Sequence, residues 1–275
     1  MPKEVKIFNN DFIYHVTDIP NLTFLDFEEE EPEVNSETQE IKGTDGVMLG
    51  PIHFGPFNLN LNFAFKGLDT KSLILMKAKL RRLFCQEKPF YIWHSDEPGK
   101  KYAVYCNSKD IDQLTNSFAT FKVTFVVYKG YSESYRDTAH MNLLEDLTQF
   151  EQNFESDESL NYRHKTKTFK VFNGSDTTID PLARHRIVIK LSAKAPNGFT
   201  LKNRTTGDTF VYKKALKKDE NFVLNGVYPY LDNKRVGINT NNHYISLKPG
   251  FNNFSLTGDG LEDIDILFDF NFIYR

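Results

Sequence analysis

Phe57–Asn58–Leu59–Asn60–Leu61–Asn62–Phe63–Ala64–Phe65 alternates large apolar side chains with small, mostly polar ones. Successive side chains of a strand point to opposite faces. Phe57, Leu59, Leu61, Phe63 and Phe65 therefore form one apolar row, and Asn58, Asn60 and Asn62 line the other. A helix, with its period of about 3.6 residues, would scatter the same residues round its axis. The stretch reads as a strand with one buried face.

The same pattern recurs downstream. Phe121, Val123, Phe125 and Val127 share one side of a second strand. Near the end, Ile264, Ile266, Phe268, Phe270, Phe272 and Tyr274 alternate with Asp263, Asp265, Asp269 and Asn271. One helix interrupts the first half, over about 69–84. Asp69 and Thr70 are good N-caps, and Leu73, Met76, Leu80, Leu83 and Phe84 follow at helical spacing. Its other face carries Lys77, Lys79, Arg81 and Arg82, which read as a solvated basic stripe. A second helix is expected over Met141–Phe154.

Strand patterning lapses between Tyr128 and Thr168, which predicts two domains, 1–155 and 156–275. The first is sheet with one long helix. The second is nearly all β, punctuated by Asn173–Gly174, Asn197–Gly198, Asn225–Gly226 and Pro249–Gly250, as in a sandwich or jelly roll. Gly43–Thr44–Asp45–Gly46 reads as a hairpin turn. The segment Asp26–Ile41, with Glu28, Glu29, Glu30, Glu31 and Glu33, reads as a mobile acidic loop.

Composition supports sheet: 25 Phe and 13 Tyr stand against one Trp, and these aromatics favour pleated, half-buried surfaces. With 40% apolar residues in 275, the chain can bury a core without disulfides or metal. The net charge is −3 and the basic residues are dispersed, which argues against sequence-specific nucleic-acid binding. No window approaches the roughly 20 apolar residues of a membrane span. The start, Met1–Pro2–Lys3, carries no secretion signal, so Cys85 and Cys106 are expected as free core thiols in a reducing cytoplasm.

Motifs for chemistry are lacking. There is no nucleophile elbow, Walker loop, zinc-protease helix or dinucleotide fingerprint. The histidines are scattered: His53, His94 and His243 lie near aromatics, and His185 sits between Arg184 and Arg186. The acids Asp259, Glu262, Asp263 and Asp265 lack EF-hand spacing. No catalytic residue, cofactor or metal site is expected.

Several stretches occur in a telling order. In the first half come Gly46–Val47–Met48–Leu49–Gly50–Pro51, Leu80–Arg81–Arg82–Leu83–Phe84, Lys88–Pro89–Phe90–Tyr91–Ile92 and Glu97–Pro98–Gly99–Lys100–Lys101–Tyr102. In the second come Val171–Phe172–Asn173–Gly174, Ile179–Asp180–Pro181, Thr205–Thr206–Gly207–Asp208–Thr209–Phe210, Leu224–Asn225–Gly226, Leu247–Lys248–Pro249–Gly250–Phe251–Asn252 and Phe268–Asp269–Phe270–Asn271–Phe272–Ile273–Tyr274. Together they resemble the distal tail protein (Dit) family of siphophages infecting Gram-positive bacteria.

That resemblance implies a mainly β fold: an N-terminal β-sandwich or barrel-like domain with one long α-helix, then a C-terminal galectin-like β-sandwich. It implies a structural, non-enzymatic virion protein of the phage tail tip, assembled in the host cytoplasm. It further implies a homo-hexameric ring with a central channel for DNA. The partners would be the tail tube protein, a tail-tip or tail-associated protein and a receptor-binding protein. In such a ring, Glu28, Glu29, Glu30, Glu31 and Glu33 are expected on the channel or a ring face. Ring contacts are expected from Lys77, Lys79, Arg81 and Arg82 and from exposed strand edges at Phe57–Lys66 and Phe118–Tyr128. Other readings are a carbohydrate-binding adhesion module built on the second half, and a cell-wall hydrolase.

Overall fold

The computed structural model describes residues 3–113, 117–141 and 160–275. The chain divides into two compact units, Met1–Glu133 with Arg275, and Ser134–Tyr274. The helix expected over Met141–Phe154 and the boundary expected at 155/156 lie outside the described residues, apart from Met141 itself.

The first unit contains β1 (Val5–Phe8), β2 (Ile13–His15), β3 (Leu22–Glu29), β4 (Val34–Glu40), β5 (Val47–Phe54), β6 (Phe57–Lys66), helix α1 (Thr70–Phe84), β7 (Phe90–His94), β8 (Lys100–Gln113) and β9 (Phe118–Val127). Seven of these strands form one antiparallel sheet in the order β2-β1-β7-β8-β9-β6-β3. The alternating stretch is β6, paired with β9 from Phe57 opposite Val127 to Lys66 opposite Phe118. Phe63 thereby stacks on Phe121, ring centroids 5.4 Å apart. The sheet curls strongly. Phe27 on β3, at one end of the order, meets His94 on β7, near the other, at 4.2 Å between centroids. The inward rows of all these strands share one core, the barrel-like arrangement expected.

Helix α1 begins where the capping residue predicts. Asp69 accepts a hydrogen bond from the Ser72 backbone N–H at 2.8 Å, satisfying a donor that the first turn leaves open. Leu73, Met76, Leu80 and Phe84 are buried, and Phe84 meets Phe125 of β9 edge-on at 5.2 Å.

Three expectations need correction. The acidic segment is not a loop: most of it forms β3 and β4. The Asn row of β6 explains the first of these strands. Asn58 donates to Glu30 at 2.8 Å, Asn60 to the same carboxylate at 3.2 Å, and Asn62 to Asp26. Cross-strand amide–carboxylate pairs stabilise a strand that propensity alone disfavours. Next, β6 and β9 are interior strands, so neither offers a free edge. Finally, Cys85 is exposed just beyond α1 and Cys106 is half-buried, both as free thiols. Cys85 lies off the buried stripe of the helix, which ends at Phe84.

The division between units falls at β10 (Ser132–Ser134). Beyond it lie β11 (Arg163–His164), β12 (Thr168–Asn173), β13 (Ile187–Lys194), β14 (Phe199–Asn203), β15 (Thr209–Tyr212), β16 (Phe222–Asn225), β17 (Tyr228–Leu231), β18 (Lys234–Arg235), β19 (Gly250–Thr257), β20 (Glu262–Phe270) and β21 (Ile273–Tyr274). Two sheets result, β11-β20-β13-β16-β17-β18 and β12-β19-β14-β15. They pack face to face through aromatic rings. Phe254 of β19 lies 4.8 Å from Phe268 of β20, and Phe199 of β14 meets Phe222 of β16 edge-on at 5.1 Å. The second unit is a β-sandwich.

Candidate assembly surface

The most unusual surface of the first unit is the hairpin β4–β5, a separate two-stranded sheet. Its turn is the expected one, with Gly43 and Gly46 at φ +91° and +77°. Apolar residues of β5 change phase midway: Val47 and Leu49 are odd-numbered, Ile52 and Phe54 even. A strict period of two would place them on opposite faces. The register repairs this. Ser36 pairs with Ile52 and Thr38 with Leu49, so a single residue, Glu37, faces two, Gly50 and Pro51. This β-bulge adds one residue to β5 and restores the phase. Gly50 is needed there, because a Cβ would lie 2.9 Å from the Glu37 carbonyl oxygen.

After the bulge, Val34, Val47, Leu49, Ile52 and Phe54 share one face of the ribbon. They are between 41% and 61% exposed. A two-stranded hairpin with a bare apolar face is marginal by itself in water, and contiguous exposed apolar surface of this kind marks an interaction site. Sequence reading missed this row. Its signal was the switch of alternation across Gly50–Pro51.

The predicted acids gather at the root of this arm. Glu28 pairs with Lys122 at 3.0 Å, Glu30 is held by Asn58 and Asn60, and Glu29 lies 2.9 Å from the Tyr102 hydroxyl. Glu31 and Glu33 form no ion pair among the described residues. Tyr102 is fully buried, and its hydroxyl also meets Glu97. Burial and the two carboxylates push its pKa far up. Desolvation raises the carboxyl of Glu29, outweighing the Tyr102 hydrogen bond and the nearby Lys100 that lower it. Beside them His94 is buried among Phe24, Phe27 and Tyr102. Burial drives its pKa down to about 4.

The predicted cations Lys77, Lys79, Arg81 and Arg82 are exposed on α1. Beside them Ile74 and Leu75 are also uncovered, at 61% and 71%. No ion pair joins the acids at the arm's root to these cations among the described residues.

The second unit holds an open cleft of about 660 Å³ lined by Lys167, Asn197, Thr200, Lys213, Thr257 and Asp259. Phe199 and Tyr212 also border it but are buried, so they present no flat ring for a sugar to stack on. The acids near the C-terminus are spread over separate ion pairs: Lys194 with Glu262, Lys218 with Asp263, Arg163 with Asp265. His185 is engaged with the backbone of Thr178 and Asp180. No group of three or more His, Cys, Asp or Glu able to hold a metal occurs among the described residues. None of their helices is long and apolar enough to cross a membrane.

No curated protein matches the chain in sequence. The whole chain superposes on the Dit protein of phage SPP1, described as a paradigm of the hub adsorption apparatus in phages infecting Gram-positive bacteria. The TM-score is 0.69 at 12% identity, over 98% of this chain and 99% of that one. Chains of the phage P2 baseplate, in its activated conformation with calcium or strontium, are more distant. Their TM-scores are 0.47 and 0.46, at 11% and 10% identity, covering 99% and 98% of this chain and 98% of each of theirs. The model of the phage tail protein RIFT-related domain matches residues 14–127, which take in the arm, α1 and most of the curled sheet. Residues 14–127 thus match the phage tail protein RIFT-related domain, and the chain as a whole shares its fold with the Dit protein of phage SPP1.

Proposed function

We propose that this protein is a structural hub of a phage tail tip, without enzymatic activity of its own. Six copies form a closed ring with a central channel for DNA, between the tail tube protein and a tail-tip or tail-associated protein. A receptor-binding protein is a further partner. Assembly takes place in the host cytoplasm and the product is part of the virion. The first domain, 1–155, forms the ring, and the second, 156–275, projects outward from it. Glu28, Glu29, Glu30, Glu31 and Glu33 face the channel or a ring face, where negative charge keeps DNA phosphates from adhering.

The observation that carries this reading is the bare apolar arm within the phage-tail domain, on a chain whose whole length follows the Dit fold. A closed ring repeats one heterologous contact, which needs two complementary patches per copy. Permanent contacts of this kind bury upward of roughly 2,000 Å² in total. Negative-stain images of the protein at high concentration, and of antibody-labelled phage tails, test the proposal. Six-fold rings and label at the tail tip are expected. Label elsewhere on the virion, or a ring built by residues after Thr168, would overturn it.

A further inference from the structure

Ring closure, if the hub reading holds, requires a partner surface for the arm, and the chain carries one of matching shape and opposite charge. On α1 the side facing away from the core presents Lys71, Ile74, Leu75, Ala78 and Arg82, the one-face spacing of a helix. Leu68, just before the helix, is 94% exposed. Around this stripe Lys71, Lys77, Lys79, Arg81 and Arg82 stand without an acid inside the helix. None of the five takes part in an ion pair among the described residues.

The arm is the converse. Its apolar face, Val34, Val47, Leu49, Ile52 and Phe54, also carries Glu40, with Asp45 at the tip, while Glu33 and Glu37 project from the opposite face of the ribbon. Lys42 is the lone Lys or Arg from 33 to 54. These four acids are likewise outside any ion pair among the described residues. Dimensions agree as well. The eight residues of β5 extend about 26 Å, and the fifteen of α1 about 22 Å.

We propose that the apolar face of the arm in one copy docks along the outer stripe of α1 in the next copy, with Glu40 and the tip residue Asp45 meeting the helix cations. Apolar contact supplies the affinity, and the opposed charges fix partner and orientation. A helix-on-helix contact, by contrast, would bring equal charges together. Arm on helix is a head-to-tail contact, and repetition of such a contact forms a ring when the rotation between copies closes.

The test uses the full chain with a photo-reactive phenylalanine analogue in place of Leu49, mixed as light and heavy-isotope copies. Crosslinks are expected between copies of different isotope, landing within 68–82. In parallel, Arg81→Glu with Arg82→Glu, and separately Glu40→Lys with Asp45→Lys, should each weaken association roughly tenfold at low salt. The chain carrying all four substitutions should recover most of that loss. Rings whose crosslinks land elsewhere, or a fourfold variant no better than either half, would overturn the pairing and leave the hub reading standing. A wild-type chain that never associates, alone or on phage tails, would sink both.

Discussion

The phenol oxygen of Tyr102 lies 2.9 Å from Oε2 of Glu29, and the same hydroxyl also meets the Glu97 carboxylate. One hydroxyl can donate only one proton. With both acids ionised, one of them faces a phenol oxygen that has no hydrogen left to give. With Glu29 protonated, its O–H donates to the phenol while the phenol donates to Glu97, and every partner is satisfied. This cluster fixes the point where β3 leaves the sheet for the arm.

The first prediction concerns Glu29. Desolvation raises its folded pKa above the ordinary 4.5, with Glu97 and Glu31 adding to the rise and Lys100 opposing it. A raised folded pKa gives stability that is present below the unfolded value and lost as pH rises through the folded one. Glu29→Gln keeps the uncharged hydrogen-bonding shape at every pH. The stability difference between wild type and this variant should therefore move against the wild type as pH climbs from 4.5. Urea unfolding over a pH series reads it, and a constant difference would disprove the shared-proton arrangement.

His94 should respond with opposite sign. It is fully buried, and neither ring nitrogen has a hydrogen-bond partner among the described residues. Its folded pKa is depressed from 6.5 to about 4. The neutral ring therefore gives stability that is present above 6.5 and lost as pH falls toward 4. His94→Phe replaces an unpaired polar ring by an apolar one amid Phe24, Phe27 and Tyr102. We expect it to be neutral or stabilising at pH 7 and to reduce acid sensitivity. Destabilisation by more than about 2 kcal/mol at neutral pH would mean that the nitrogens have partners.

Leu49→Lys separates folding from assembly. Leu49 is 58% exposed on the arm, and substitutions at such positions change stability by about 0.5 kcal/mol or less. Self-association should nevertheless be lost, because a charge in the middle of an apolar contact must be desolvated. Sedimentation against concentration, alongside thermal unfolding of the monomer, shows both effects. Unchanged association would remove the arm from the assembly surface.

Legibility in the sequence followed the strength of local periodicity. The rows Phe57–Phe65 and Phe121–Val127 fold as their alternation requires, and Asp69 caps α1 as its position suggests. The acidic segment misled because its stabilising partners, Asn58, Asn60 and Asn62, lie some thirty residues away on another strand. The arm's apolar face was hidden by a bulge, which turns an apparent failure of alternation at Gly50–Pro51 into a continuous row. Of the candidate site, the charged residues were readable as exposed. What a single sequence does not display is which exposed apolar residues share a face, since that depends on register.

The last prediction concerns the second unit, where the stretch Leu247–Lys248–Pro249–Gly250–Phe251–Asn252 leads into β19. Asn252 is completely buried. Its amide donates to the carbonyls of Lys248 and Gly250 at 2.8 and 3.1 Å. Its Oδ1 accepts from the Lys248 backbone N–H and from Asn203 Nδ2, both at 3.0 Å. Asn203, equally buried, spends its other amide hydrogen on the Ser246 carbonyl at 2.8 Å. The two side chains thus tie the turn before β19 to the end of β14, and only a group with two donors on one side and an acceptor on the other fits at Asn252. Asn252→Ala leaves the Lys248 and Gly250 carbonyls and the Asn203 amide short of a partner, for a loss of about 2–4 kcal/mol in urea unfolding. Asn252→Asp is nearly isosteric, yet once ionised it turns acceptor against two carbonyls in a buried site. It should cost more than Ala at pH 7, and the excess should shrink as pH falls and the carboxyl takes up a proton. Equal losses for the two variants across that range would show that packing, not hydrogen-bond polarity, sets the choice of Asn252.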